Sequence, residues 1–186
     1  ESGTAIAAGS INVSGETGGT VGFFGDKVGL VGSDINASGT NGGGTVLIGG
    51  ESQGQGTVPN ASQTVVRSDS LINADAVNQG NGGRVIVWAE ENTEFFGNIS
   101  AQGGASFGNG GFVEVSGKQS LTFNGVVNTF APNGSPGTLL LDPSTLTIID
   151  AASGGSQDSN LGFDSEILFS DPNIGGNTIS WGQIVE

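Results

Sequence analysis

Along most of this chain, apolar and polar residues alternate in short runs that end at Gly, Asn or Ser. Period-2 alternation over about four to six residues is the mark of a β-strand with one buried face. The runs recur in kind. A Gly-rich turn leading into an apolar strand occurs as Gly18-Gly19-Thr20-Val21-Gly22-Phe23, Gly43-Gly44-Thr45-Val46-Leu47-Ile48, Gly82-Gly83-Arg84-Val85-Ile86-Val87 and Gly110-Gly111-Phe112-Val113-Glu114-Val115. Pro136-Gly137-Thr138-Leu139-Leu140-Leu141 is a looser fifth copy.

Between the equivalent glycines 19, 44, 83, 111 and 137 the steps are 25, 39, 28 and 26 residues. The long step carries an insertion near 51–63, which reads as a loop. Each period holds a second unit: Ile11-Asn12-Val13-Ser14-Gly15, Ile35-Asn36-Ala37-Ser38-Gly39, Ile72-Asn73-Ala74-Asp75, Ile99-Ser100-Ala101-Gln102-Gly103 and Val127-Asn128-Thr129. A third precedes it: Lys27-Val28-Gly29-Leu30-Val31-Gly32, Asn92-Thr93-Glu94-Phe95-Phe96-Gly97 and Ser120-Leu121-Thr122-Phe123-Asn124-Gly125, with Thr64-Val65-Val66-Arg67 as a partial copy.

Three short strands in one period are too few residues for a propeller blade, and no helical pattern supports a leucine-rich repeat. The expectation is all-β: a parallel β-helix of about five to six rungs with three short strands per rung, successive rungs stacked ~4.8 Å apart. The register predicts inward stacks Val21/Val46/Val85/Val113/Leu139, Phe23/Ile48/Val87/Val115/Leu141 and Ile11/Ile35/Ile72/Ile99/Val127. Stacking like on like lets a chain with 34% apolar residues exclude water from a narrow core. Asn12, Asn36, Asn73 and Asn128 align at a corner, either as an amide ladder broken by Ser100 or as ordinary turn residues. The rungs are expected over 1–149. Residues 150–186 read as an acidic, loop-rich excursion with final strands or a cap, because Asp142-Pro143 breaks the rhythm and seven of the 18 acids lie from Asp142 onward.

Composition narrows the chemistry. The chain has no Cys, His, Met or Tyr and four basic residues, Lys27, Arg67, Arg84 and Lys118, so thiol, imidazole and Cys/His zinc chemistry are excluded. Its 36 glycines without a three-residue period exclude collagen, and the strand clusters argue against disorder. A net charge of −14 repels phosphate backbones, so no nucleic-acid partner is expected. No apolar run reaches the ~20 residues of a membrane span, and 1–9 has neither the basic start nor the apolar stretch of a signal peptide. The abrupt beginning and end suggest a fragment of something longer.

Gly80-Asn81-Gly82-Gly83-Arg84-Val85-Ile86-Val87-Trp88, Phe96-Gly97-Asn98-Ile99-Ser100-Ala101, Asn109-Gly110-Gly111-Phe112-Val113-Glu114-Val115-Ser116-Gly117-Lys118 and Gly137-Thr138-Leu139-Leu140-Leu141-Asp142-Pro143 carry a resemblance. They resemble the filamentous-haemagglutinin-like exoproteins of two-partner secretion, in particular the cyanobacterial-type repeat module, over roughly residues 5 to 150. The resemblance implies a right-handed β-helix, export through a dedicated outer-membrane partner of a Gram-negative bacterium, an extracellular or cell-surface location, and a part in adhesion, aggregation or biofilm. It also places the family's N-terminal secretion domain outside these residues.

The function expected is therefore that of a secreted structural or adhesive segment, not an enzyme, without cofactor or metal. Its expected partners are further copies stacked end to end or the rest of a longer chain, and a cell-surface glycan or matrix. The alternative is a carbohydrate-binding or carbohydrate-active β-helix, since fold alone does not decide. Against it, the cations are scattered and Glu90, Glu91 and Glu94 sit at a turn, whereas a glycosidase needs two facing carboxylates. Asp142, Asp150, Asp158, Asp164 and Asp171 lack calcium-loop spacing. Trp88, Phe107 and Trp181 are the candidate surface contacts. Of Phe95 and Phe96, alternation sends one inward.

Overall fold

The computed structural model describes residues 3–142, together with the backbone of Thr147–Ile149 and Thr178–Ser180. The expected excursion over 150–186 thus lies outside the described residues apart from that last strand. The described strands are β1 (Thr4–Asn12), β2 (Thr20–Phe23), β3 (Lys27–Asn36), β4 (Thr45–Ile48), β5 (Gln63–Val66), β6 (Leu71–Asn73), β7 (Arg84–Ala89), β8 (Asn92–Phe95), β9 (Asn98–Ser100), β10 (Phe112–Gly117), β11 (Ser120–Phe123), β12 (Val126–Asn128), β13 (Thr138–Leu141), β14 (Thr147–Ile149) and β15 (Thr178–Ser180). A single 3-10 turn, Ser52–Gly54, is the helical element among them.

Every strand pairing is parallel, and the partners are the internal repeats. β2, β4, β7, β10 and β13 form one ladder. The long strands β1 and β3 each pass through two ladders: Lys27–Leu30 pairs with Thr4–Ala7 and with β5, which continues to β8 and β11. Asp34–Asn36 pairs with Ser10–Asn12 and with β6, which continues to β9 and β12. The chain is all-β, with parallel sheets and a β-helix-like course. β14 pairs with β15 in a separate parallel ribbon.

The register places Val21, Val46, Val85, Val113 and Leu139 opposite one another, and likewise Phe23, Ile48, Val87, Val115 and Leu141. Ile11, Ile35, Ile72, Ile99 and Val127 make a third stack. These are the stacks the repeat predicts, and their middle members are buried in one continuous core. The remaining ladder adds Leu30, Val66, Phe95 and Phe123, with the last two rings stacked 5.3 Å apart. Two threonines on this ladder, Thr64 and Thr93, are fully buried. Their hydroxyls donate to the carbonyls of Trp88 and Ser116 at 2.8 and 2.7 Å, so a polar group enters the core with a partner.

Paired glycines close one corner. Gly44, Gly83 and Gly111 each donate N–H to the carbonyl of an alanine seven to ten residues earlier, Ala37, Ala74 and Ala101, at 2.7–2.8 Å. The approach between levels is so close that a Cβ on Gly43 would lie 1.9 Å from the Ala74 carbonyl oxygen. A side chain there would force the levels apart, which explains why the doublet recurs.

The asparagine corner is a set of turns. Asn12, Asn36, Asn73 and Asn128 each accept, on Oδ1, the N–H two residues ahead, at 2.9–3.0 Å. This is the local bond that suits Asn to turns. Ser100 is too short to make it, and the neighbouring level compensates: the Asp75 carboxylate accepts the Gln102 N–H at 2.6 Å and the Ser100 hydroxyl at 2.7 Å. Removing Asp75 leaves that corner without an acceptor. Asp75→Ala is therefore expected to destabilise the chain by about 1–2 kcal/mol in urea unfolding. In a Ser100→Asn background, which restores the local acceptor, the same substitution is expected to lose most of its effect, and equal losses in both backgrounds contradict this assignment.

Candidate functional site

The ladders leave the outer face of β4, β7 and β10 to be covered by something else. β4 is buried at three of its four positions, and β7 and β10 at five of six, which a strand with one wet face cannot be. The outward ladder reads Gly22, Leu47, Ile86, Glu114, Leu140. Leu47, Ile86 and Trp88 form a second apolar cluster, flanked by Phe24 and Phe112 and separate from the central core.

The insertion supplies the cover. Between β4 and β5 the chain turns at Gly49 (φ +80°), where a Cβ would meet the Thr64 hydroxyl at 2.2 Å, and then crosses the outside of the ladder as a strap. Gly54 lies so close to the indole that a Cβ there would be 2.4 Å from Trp88 Cζ2. Glu114 is fully buried under the strap. Its carboxylate accepts the Ser52 hydroxyl and, at 3.0 Å, the Gln53 N–H. Glu51 pairs with Arg84 at 3.4 Å, and Asn60 Nδ2 donates to the Gly54 carbonyl at 2.8 Å.

This corrects the placing of Trp88. Counted by alternation it faces away from the core and so reads as a surface contact, but it is 3% exposed because the strap lies over it. Phe107 is 57% exposed, on the loop between β9 and β10, with its carbonyl accepting the Gly80 N–H. Trp181 lies outside the described residues. Phe95 is the inward member of its pair. The strap's role as a cover was missed, although a signal existed: Val46-Leu47-Ile48 and Val85-Ile86-Val87-Trp88 are continuous apolar runs, and such runs belong to strands buried on both faces.

The acids named in the sequence do not assemble. Glu90 pairs with Lys118 at 2.7 Å, and Glu94 accepts from Asn92 at 3.2 Å. Among the described residues, no three acids are placed to hold a metal ion. Asp142 is exposed, and Asp150, Asp158, Asp164 and Asp171 lie outside the described residues. An open groove follows the glycine corner past Asn81, Asn109, Ser135 and Phe112. Asn81 and Asn109 each accept on Oδ1 a backbone N–H from the next level, Asn109 and Ser135, so the groove is built of the same coil-to-coil bonds. A smaller crevice beside the strap is lined by Gln53, Trp88, Lys118 and Asp142. Among the described residues, no helix is long and apolar enough to cross a membrane.

No protein-family model matches this sequence, and no curated protein matches it. Among solved structures, the chain is similar to the HMW1 secretion domain from Haemophilus influenzae, with 34% identity and a TM-score of 0.62 over 75% of this chain. This chain spans 37% of that one. The similarity is to a secretion domain, and it lends nothing to the cyanobacterial-type repeat module in particular.

Burial separates the two described aromatic candidates in energy as well as in position. Trp88→Ala is expected to destabilise the chain by about 3–5 kcal/mol. Phe107→Ala is expected to change stability by less than about 0.5 kcal/mol. Equal effects in denaturant unfolding contradict the strap's covering of Trp88.

Proposed function

We propose that this chain is a stretch of a secreted exoprotein of the two-partner class, and that it is of the secretion-domain kind. The observation that carries the reading is the likeness to the HMW1 secretion domain at 34% identity over 75% of the chain. The internal physics agrees with export. A stack of short parallel strands has mostly contacts between neighbouring levels, so it folds by adding one level at a time as the chain arrives. The absence of cysteine leaves nothing to crosslink on the way.

In this reading the fold is a right-handed parallel β-helix of about five to six rungs, three strands to a rung. The chain acts outside the cell, its partner during export is an outer-membrane transporter, and it is a structural element without catalytic chemistry. Adhesion, aggregation or biofilm formation belongs to the parent exoprotein, with end-to-end self-association and glycan contact as the routes to it. Phe107, exposed on its loop, is the described candidate open to such a contact.

Export tests the reading. Placed behind a general secretory leader in a Gram-negative host, the chain is expected to reach the medium when a two-partner transporter from its own organism is coexpressed. It is expected to stay in the periplasm without one. Equal partition with and without the transporter overturns the proposal.

A further inference from the structure

The strap over 50–60 differs in kind from everything beneath it. It makes no ladder pairing, and its 3-10 turn contains no buried residue. Its docked form includes two unfavourable features: Gln53 has φ +56°, a left-handed conformation that costs a side-chain-bearing residue, and Asn60 Oδ1 is buried with no hydrogen-bond partner. Set against them are the two bonds to Glu114, the Glu51–Arg84 pair, a long 3.5 Å bond from Asn60 Nδ2 to Glu90 and contact with Trp88. The β4–β7–β10 ladder below is closed by its own backbone hydrogen bonds and does not need the strap for its register.

The bonds to Glu114 also reach far along the chain. They span 61 and 62 residues, against 37 for the bonds that Gly32 and Ser33 make to Asp69 and Ser70. By pairing, β10 is two ladder steps from β4, the strand the strap leaves. The strap is therefore tied to a level that is not its neighbour. Both bonds depend on one carboxylate set in an otherwise apolar ladder between Ile86 and Leu140.

We propose that the strap is a releasable cover keyed by Glu114: it lifts from the outer face as a unit while the ladders stay paired, and lifting uncovers the Leu47, Ile86 and Trp88 face. Local opening of this sort is drawn from elements with few buried apolar contacts, which describes the strap and not the strands. The closed form hides an apolar face spanning neighbouring levels.

The chain's two tryptophans make the test direct, because Trp181→Phe leaves Trp88 as the sole indole reporter. In that background, amide hydrogen exchange over 50–60 is expected to run ahead of exchange in β4, β7 and β10. Glu114→Gln, and separately Ser52→Ala on the strap itself, are expected to raise acrylamide quenching of Trp88 by at least about threefold while ladder amides keep their protection. Two results overturn the proposal: Trp88 quenching unchanged in both variants, or strap and ladder amides losing protection together in both. The Ser52 variant guards against a folding defect confined to the β10 substitution.

Discussion

The parallel backbone hydrogen bond from one level of the stack to the next is the constraint on which the rest of this molecule depends. A strand satisfies its N–H and C=O groups only if the chain returns to the same place one period later with the same shape. That requirement explains the repeat of three units, the glycine doublets where levels meet at a corner, and the stacking of valine on valine and isoleucine on isoleucine. It also explains the tolerance of one long step: the insertion between β4 and β5 leaves the ladder, crosses its outer face, and re-enters in register at Gln63 opposite Lys27.

A ladder of this kind couples only neighbours, so local irregularities are repaired by the level next door. Ser100 lacks the reach of the asparagines it aligns with, and Asp75 of the adjacent level takes over its acceptor role. The strap is an exception to nearest-neighbour coupling. Its tie to Glu114 links levels two steps apart, adding a contact that an unadorned solenoid lacks.

Much of the architecture was legible because repetition carries it. Val21, Val46, Val85 and Val113 could be placed opposite one another from the glycine spacing alone, and the structure pairs them so. The first strand was harder to read, since Ala5 and Ala7 are too small to announce an inward row, though they pair with Val28 and Leu30. Alternation misled at Trp88, because it separates the two faces of a strand but does not say whether the outer face is wet. What covers that face is set by contacts 61 and 62 residues apart, which no local pattern encodes. The asparagine corner was left between two readings by its composition, and bond geometry decides for turns.

Everything above follows from parallel, in-register stacking of the internal repeats, and a chain without cysteine is well suited to a test by paired cysteine substitution. Gln63 and Asn92 are register partners on the outward side of adjacent strands, and Glu94 lies two residues farther along. Parallel neighbours about 4.8 Å apart fall within disulfide reach. Gln63→Cys with Asn92→Cys is expected to crosslink readily under mild oxidation, and Gln63→Cys with Glu94→Cys is not. Equal crosslinking of both pairs, or preference for the second, would contradict the register on which the whole account rests.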